Sequence, residues 1–280
     1  MLSTCQAVDG RRFLTPFLLI GLCAGILILA AVALPCPPEL KALSAKGVAL
    51  RRVLSLLVVE TVSLALAVPL LAVLPRRHGN RLDEILCLVL AVAAIPAASF
   101  VVAALASGGR VSLGALALAQ VFLCSFAFVL FALARLLRQL GRRAATAQLG
   151  ASLIALAMVG NVFFANAIIE AARTQGPKML AIDATLWSNP WLIVGGSILE
   201  ADPLRSTDLY EFSVIGGHGY GFQYPGAAMG SLLGRGLFVT GAYVAFGLLL
   251  GGIGWLVGRR KGVRNLLCSA PGRPWTAKGS

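Results

Sequence analysis

The reading of this chain turns on VLSLLVVETVSLALAVPLLAVL, residues Val53–Leu74. The run has the length that crosses a bilayer, about 20 apolar residues. Arg51–Arg52 precede it, Arg76–Arg77 follow it, and a single acid, Glu60, stands inside it. Pro69 is expected to kink the helix that it forms. An acid inside hydrocarbon is costly and marks a functional candidate. The competing reading pairs Glu60 with Arg51, Arg52 or a serine such as Ser63, and both readings stand at this point.

Comparable blocks lie on either side. Phe13–Leu34 follows Arg11–Arg12 and ends at PCPPE. It exceeds the roughly 7–15 residues of a signal-peptide core and is read as a retained span. Pro35–Arg52 is a short polar connector that lies along the interface. Ile85–Ala106 is interrupted by Pro96, and Leu113–Leu133 continues as a basic helix, RLLRQLGRR, to Arg143. Leu149–Ala171 encloses Asn161 and Asn166, amides of the kind that bridge helices in a membrane. Leu237–Val257 is rich in glycine, which permits close helix contact. The expected fold is therefore all-α and polytopic. Six spans make one transmembrane domain over 1–257, with a long loop, 173–232, before the last span. A basic, disordered tail, 258–280, follows it.

The composition agrees. The chain has 280 residues, 58% of them hydrophobic and 12% charged, with a mean hydropathy of +0.86. A soluble domain carries about 25% charged residues. The net charge of +13 falls in short clusters at the ends of the apolar blocks, which is the pattern of membrane topology and of contact with anionic lipid headgroups. Nucleic acid is not the expected partner. The 6 cysteines form no CxxC, and the 2 histidines exclude a multi-histidine metal or haem site, so no cofactor is expected. Segments 1–12, 75–84, 134–148 and 258–280 hold more Lys and Arg than 35–52, 107–112 and 172–236. Both termini are thus expected in the cytoplasm, the long loop outside, and the protein in the cell (inner) membrane.

The long loop holds Asp183, Glu200, Asp202, Asp208 and Glu211. Trp187 and Trp191 lie one helical turn apart around Asn189–Pro190 and read as interfacial anchors. An amphipathic helix through Tyr210 and a glycine-rich turn complete an outer-face cap that shapes an external gate. Ser213 and His218 suggest a hydrolase, but a glycine-rich loop does not fix a nucleophile against its base.

Two stretches resemble the permease subunits of type-2 ATP-binding-cassette transporters. The first is RRHGNRLDEILCL, Arg76–Leu88, which sits where the family has a charged segment and a helix restart of the ERxxGTLDxLL kind. Gly79, Leu82 and Asp83 match that pattern. Arg76 or Arg77 takes the place of its glutamate, and Asn80–Arg81 replaces its glycine–threonine continuation. The second is NPWLIVGGSILEADPLRSTDLYEFSVIG, Asn189–Gly216. The resemblance implies a half-pore that dimerises with a second permease subunit, identical or different, and is driven by a separate cytoplasmic ATPase. Arg76, Arg77, His78, Gly79, Asn80, Arg81, Leu82, Asp83 and Glu84 would dock on that ATPase. The chain has no GxxxxGK[ST] phosphate loop of its own and is not expected to be an enzyme. The alternatives are a secondary transporter, which would use buried acids or broken helices, and a non-catalytic membrane scaffold.

Overall fold

A backbone in hydrocarbon has to hydrogen-bond to itself, so each apolar block is under pressure to become helix along its whole length. The computed structural model shows this outcome. It describes residues 45–73, 85–86, 88–141, 143–201, 215 and 223–268. Among them the chain is helical and has no strand. The principal helices are α1 (Ala45–Val73), α2 (Ile95–Ser107), α3 (Leu113–Gln139), α4 (Ala144–Ala171), α5 (Gln175–Ser188), α6 (Pro190–Leu192) and α7 (Leu232–Cys268). Five helical stretches among the described residues are long and apolar enough to cross a membrane. The expected first span, Phe13–Leu34, lies outside the described residues, so the structure reports on the other spans only.

Several boundaries differ from the sequence reading. Helix α1 begins at Ala45, so the end of the expected interfacial connector is the first part of a span helix. The basic extension after the fourth span stops at Gln139; Gly141, at φ 93°, makes the turn, and Arg143 becomes the N-cap of α4. A positive φ excludes a continuing right-handed helix, and glycine adopts it without strain. Pro96 does not interrupt the third span. A π-helical turn, Leu90–Ala94, leads into α2 with the proline in its first turn, where its missing N–H is tolerated.

Helix α3 is the centre. Leu116, Phe122, Leu123, Phe126 and Leu130 are fully buried, and α1, α2, α4 and α7 all pack on it. Helix α1 is almost as enclosed. By contrast α2, α4 and α7 turn large apolar side chains outward, with Leu105 77%, Leu153 65%, Phe164 64% and Trp255 60% exposed. In water such faces would drive aggregation; in a bilayer they meet lipid.

Lipid is as apolar as leucine, so helices in it associate by close packing and hydrogen bonds rather than by the hydrophobic effect. The α3–α7 seam is built that way. A Cβ placed on Gly247 would lie 2.6 Å from Phe128 Cδ1. Tyr243 meets Phe122 edge to face at 4.9 Å between ring centroids, and its hydroxyl donates to Trp187 O at 2.9 Å.

The helix ends define two poles. At one, Arg138 Nη1 donates to Val73 O at 2.9 Å, tying the end of α1 to the end of α3, and Gly258 of α7 lies beside Gln139. At the other, the turn Gly108–Gly109 joins α2 to α3, and α7 begins.

Replacing Gly247 by leucine is expected to destabilise the bundle by about 1–3 kcal/mol through overpacking against Phe128. Gly251→Leu carries the same favourable change in helix propensity, and its Cβ position is open, so it should not destabilise the bundle. Thermal unfolding of the purified protein checks this; equal midpoints for the two variants would contradict the seam.

Candidate functional site

Two polar constellations interrupt the apolar interior. The first is around Glu60. Along α1 it lies about 12 Å from Arg52 at 1.5 Å rise per residue, well inside the apolar run. It is 0% exposed. Its partners are neither Arg51, Arg52 nor Ser63. Ser63 Oγ donates to Val59 O at 2.8 Å in its own helix. Instead Ser99 Oγ of α2 donates to Glu60 Oε2 at 2.5 Å, and Gln120 Nε2 of α3 donates to the same oxygen at 3.2 Å. Glu60 Oε1 and Gln120 Oε1 are buried and accept no hydrogen bond from the described residues. Ser99 and Gln120 escaped the sequence reading. A glutamine inside LALAQVF, Leu116–Phe122, was the signal available.

The second constellation is centred on Asn189. The sequence reading made this segment part of an outer-face cap. The structure instead folds it as a helical hairpin in the bundle: α5 packs along α4, and α6 returns into a π-helix, Ile193–Ile198, against α3 and α7. Asn161, its contact on α4, lies about 15 Å along the helix from Ala171, so the hairpin tip is deep.

The chain is extended at Asn189 (φ −92°, ψ 110°), and this break leaves backbone N–H groups at the start of α6 without helical partners. Asn189 Oδ1 accepts from Trp191 N at 3.2 Å and Leu192 N at 3.4 Å. Its Nδ2 donates to Val159 O at 2.8 Å and to Asn161 Oδ1 at 2.9 Å. Asn161 Nδ2 donates in turn to Ser188 Oγ at 2.6 Å. The buried amide thus uses both donors and both acceptor directions. Pro190 starts α6, where it needs no N–H partner.

The tryptophans therefore divide. Trp191 is 8% exposed and its Nε1 donates to Val159 O at 3.0 Å, so it is a packing residue and not an interfacial anchor. The break at Asn189 removes the common helical face that the spacing suggested. Trp187 is 41% exposed and meets Phe238 edge to face. Beyond the tip, a Cβ on Gly196 would fall 2.2 Å from the Tyr224 ring, so any side chain there would have to displace that ring. Glu200, at φ 53°, ends the arm and pairs with Arg235 at the start of α7.

Between α3, α4, α5 and α7 lies an apolar cleft of about 440 Å³, lined by Val129, Met158, Trp187, Tyr243 and Phe246 among others. Asn166 lies half-buried farther along α4. Arg76–Glu84, Tyr210, Asp208, Ser213 and His218 lie outside the described residues. No family model matches the sequence, and neither a curated protein nor a solved structure matches it.

Asn189→Asp keeps the shape but loses two donors and turns one carboxylate oxygen toward Val159 O and Asn161 Oδ1. Stranding buried polar groups costs about 1–3 kcal/mol each. The variant is expected to unfold at lower temperature and to expose α5 to protease. Asn166→Asp, at a half-buried position, should do less; the reverse order would remove Asn189 as the hairpin's anchor.

Proposed function

We propose that the chain is the membrane-spanning permease subunit of an ATP-binding-cassette transporter. It pairs with a second permease subunit and is driven by a separate cytoplasmic ATPase at the cell (inner) membrane. The observation that carries transport is the broken helical hairpin with its tip at the level of the buried interior. Non-helical backbone at that depth is tolerated only where protein encloses it or where it lines a path, and half-helices that meet there are a recurrent transport device.

The source of energy rests on the Arg76–Leu88 resemblance, and the geometry is compatible with it. Helix α1 delivers the segment at Val73, the carbonyl that Arg138 holds, and the chain is helical again at Ile85 and Leu86. The same pole carries Arg135, Arg138, Arg143 and Arg259, and a cytoplasmic assignment for it follows from the sequence-wide excess of Lys and Arg. A short charged segment joined to two spans can act as a lever on both. In this reading ATP-driven closure of the partner shifts the bundle between its inward-open and outward-open states. The hairpin then lies at the outer mouth, with Glu200–Arg235 at its rim.

A secondary transporter is the second reading, and the observation that favours it is the enclosed carboxyl of Glu60.

Asp83→Ala with Glu84→Ala, or one residue inserted at Gly79, is expected to abolish ATP-dependent transport and release a Walker-type ATPase that co-purifies with the wild type, while thermal stability is retained. Transport by the chain alone in vesicles, driven by an ion gradient and without ATPase, would replace this reading with the second one. A cysteine placed at Asp208 should react with an impermeant thiol reagent in intact cells. Reaction only after permeabilisation would reverse the topology.

A further inference from the structure

The Glu60 cluster contains an unfinished piece of chemistry. Glu60, Ser99 and Gln120 come from three different helices and are 0%, 1% and 6% exposed. Ser99 gives its one hydroxyl proton to Glu60 Oε2, and Gln120 Nε2 donates to that same oxygen. Glu60 Oε1 and Gln120 Oε1, both buried acceptors, are left with no donor among the described residues. Neighbouring hydroxyls cannot serve them as placed: Thr61 Oγ1 donates to Val58 O and Ser63 Oγ to Val59 O. No Lys, Arg or His among the described residues forms an ion pair with Glu60. Among the described residues Cys124, one turn beyond Gln120 on α3, is a further titratable group close to it, and a thiol brings no positive charge.

A carboxylate in this position is a full negative charge enclosed in low dielectric, which is expensive unless an opposite charge accompanies it. One positive charge makes the site neutral. A divalent ion would leave an excess charge in the same surroundings, with a single carboxylate to hold it. The two unused oxygens are hard ligands, and a proton or a small alkali ion brings the single positive charge that one carboxylate balances.

From this geometry we infer that Glu60, Ser99 and Gln120 form an intramembrane binding site for one small monovalent cation, a proton or a sodium ion. Glu60 Oε1 and Gln120 Oε1 are the acceptors left for it, and Ser99 fixes the orientation of the carboxyl. The site stands apart from the question of the ATPase, since it concerns what the folded bundle binds and not what drives it.

The test uses the full chain in lipid nanodiscs and reads the thermal unfolding midpoint of wild type and Glu60→Gln. NaCl is titrated against KCl at constant ionic strength, and pH is varied from about 5 to 9 at constant salt. A cation bound only by the folded state raises the folded-to-unfolded ratio about tenfold for each tenfold rise in its concentration above Kd. If sodium is the ligand, the wild-type midpoint rises with NaCl and not with KCl, and Glu60→Gln loses the response. If the proton is the ligand, the wild-type midpoint ignores sodium but falls as pH rises, and the variant is flat. The inference is overturned if wild type responds to neither, or if both proteins respond alike; a buried water would then be all that the two oxygens hold. Should Glu60→Gln fail to fold, Gln120→Leu removes one acceptor, and an unchanged sodium or proton response in it would equally overturn the site.

Discussion

Every backbone N–H and C=O buried in hydrocarbon needs a partner inside the protein, and the rest of this structure follows from how that demand is met. Straight helices meet it automatically. The cost concentrates at the one deep break among the described residues, where α5 ends and α6 begins. Asn189 meets it there by standing in for two missing helical carbonyls, and its amide protons tie the break to α4 through Val159 O and Asn161. Glutamine has the same groups, but its longer stem would displace them from the N-terminal N–H groups of α6. Aspartate would cap the helix equally well and lose the link to α4. The demand for both bonds at once makes asparagine the fitting residue.

The second requirement is contact. With no hydrophobic drive between helices, association depends on surfaces that approach closely. Gly247 lets α7 come down on Phe128, and Gly196 lets Tyr224 lie on the returning arm of the hairpin. Helix α3 is enclosed because its neighbours are drawn in on several sides, whereas α4 and α7 keep a lipid-facing side. The glycines with open Cβ positions on α7, Gly241, Gly251 and Gly252, contribute no such contact among the described residues.

How much of this was legible in the sequence depends on which length scale governs each feature. Hydropathy over a whole block decides whether a helix crosses a membrane, and that reading placed α1, α3, α4 and α7. It met the ends at Val73, Leu113 and Ala171, but α1 starts at Ala45 rather than Val53, and α7 runs to Cys268, into the tail expected to be disordered from 258. The hairpin was different. Asn189–Gly196 is apolar enough to be buried but too short to span, and Asp183 and Glu200 near it gave the surrounding segment the composition of a surface loop. Whether such a piece lies on the bundle or dips into it is set by partners distant in sequence, here Val159 and Asn161. Glu60 was visible as an anomaly, yet its partners were sought within its own helix and connector. Ser99 and Gln120 belong to other helices, and periodicity in one segment carries no information about which faces will meet.

The two constellations lie on opposite sides of one helix, and this links them mechanically. Val58 and Val62 of α1 pack against the cluster that contains Trp191 and Leu192. Glu60 lies two residues from each, about 200° around the helix at 3.6 residues per turn, and so faces the other way, toward α2 and α3. The hairpin tip and the carboxyl thus hold opposite sides of one rod at one depth. A rotation of α1 that loosened Val58 and Val62 from the hairpin would also swing Glu60 relative to Ser99 and Gln120, since packed interfaces move between discrete arrangements and do not deform continuously. The far end of the same rod is Val73, where Arg138 holds the last carbonyl and the charged segment 74–84 departs. Helix α1 thus joins the hairpin, the carboxyl and that pole.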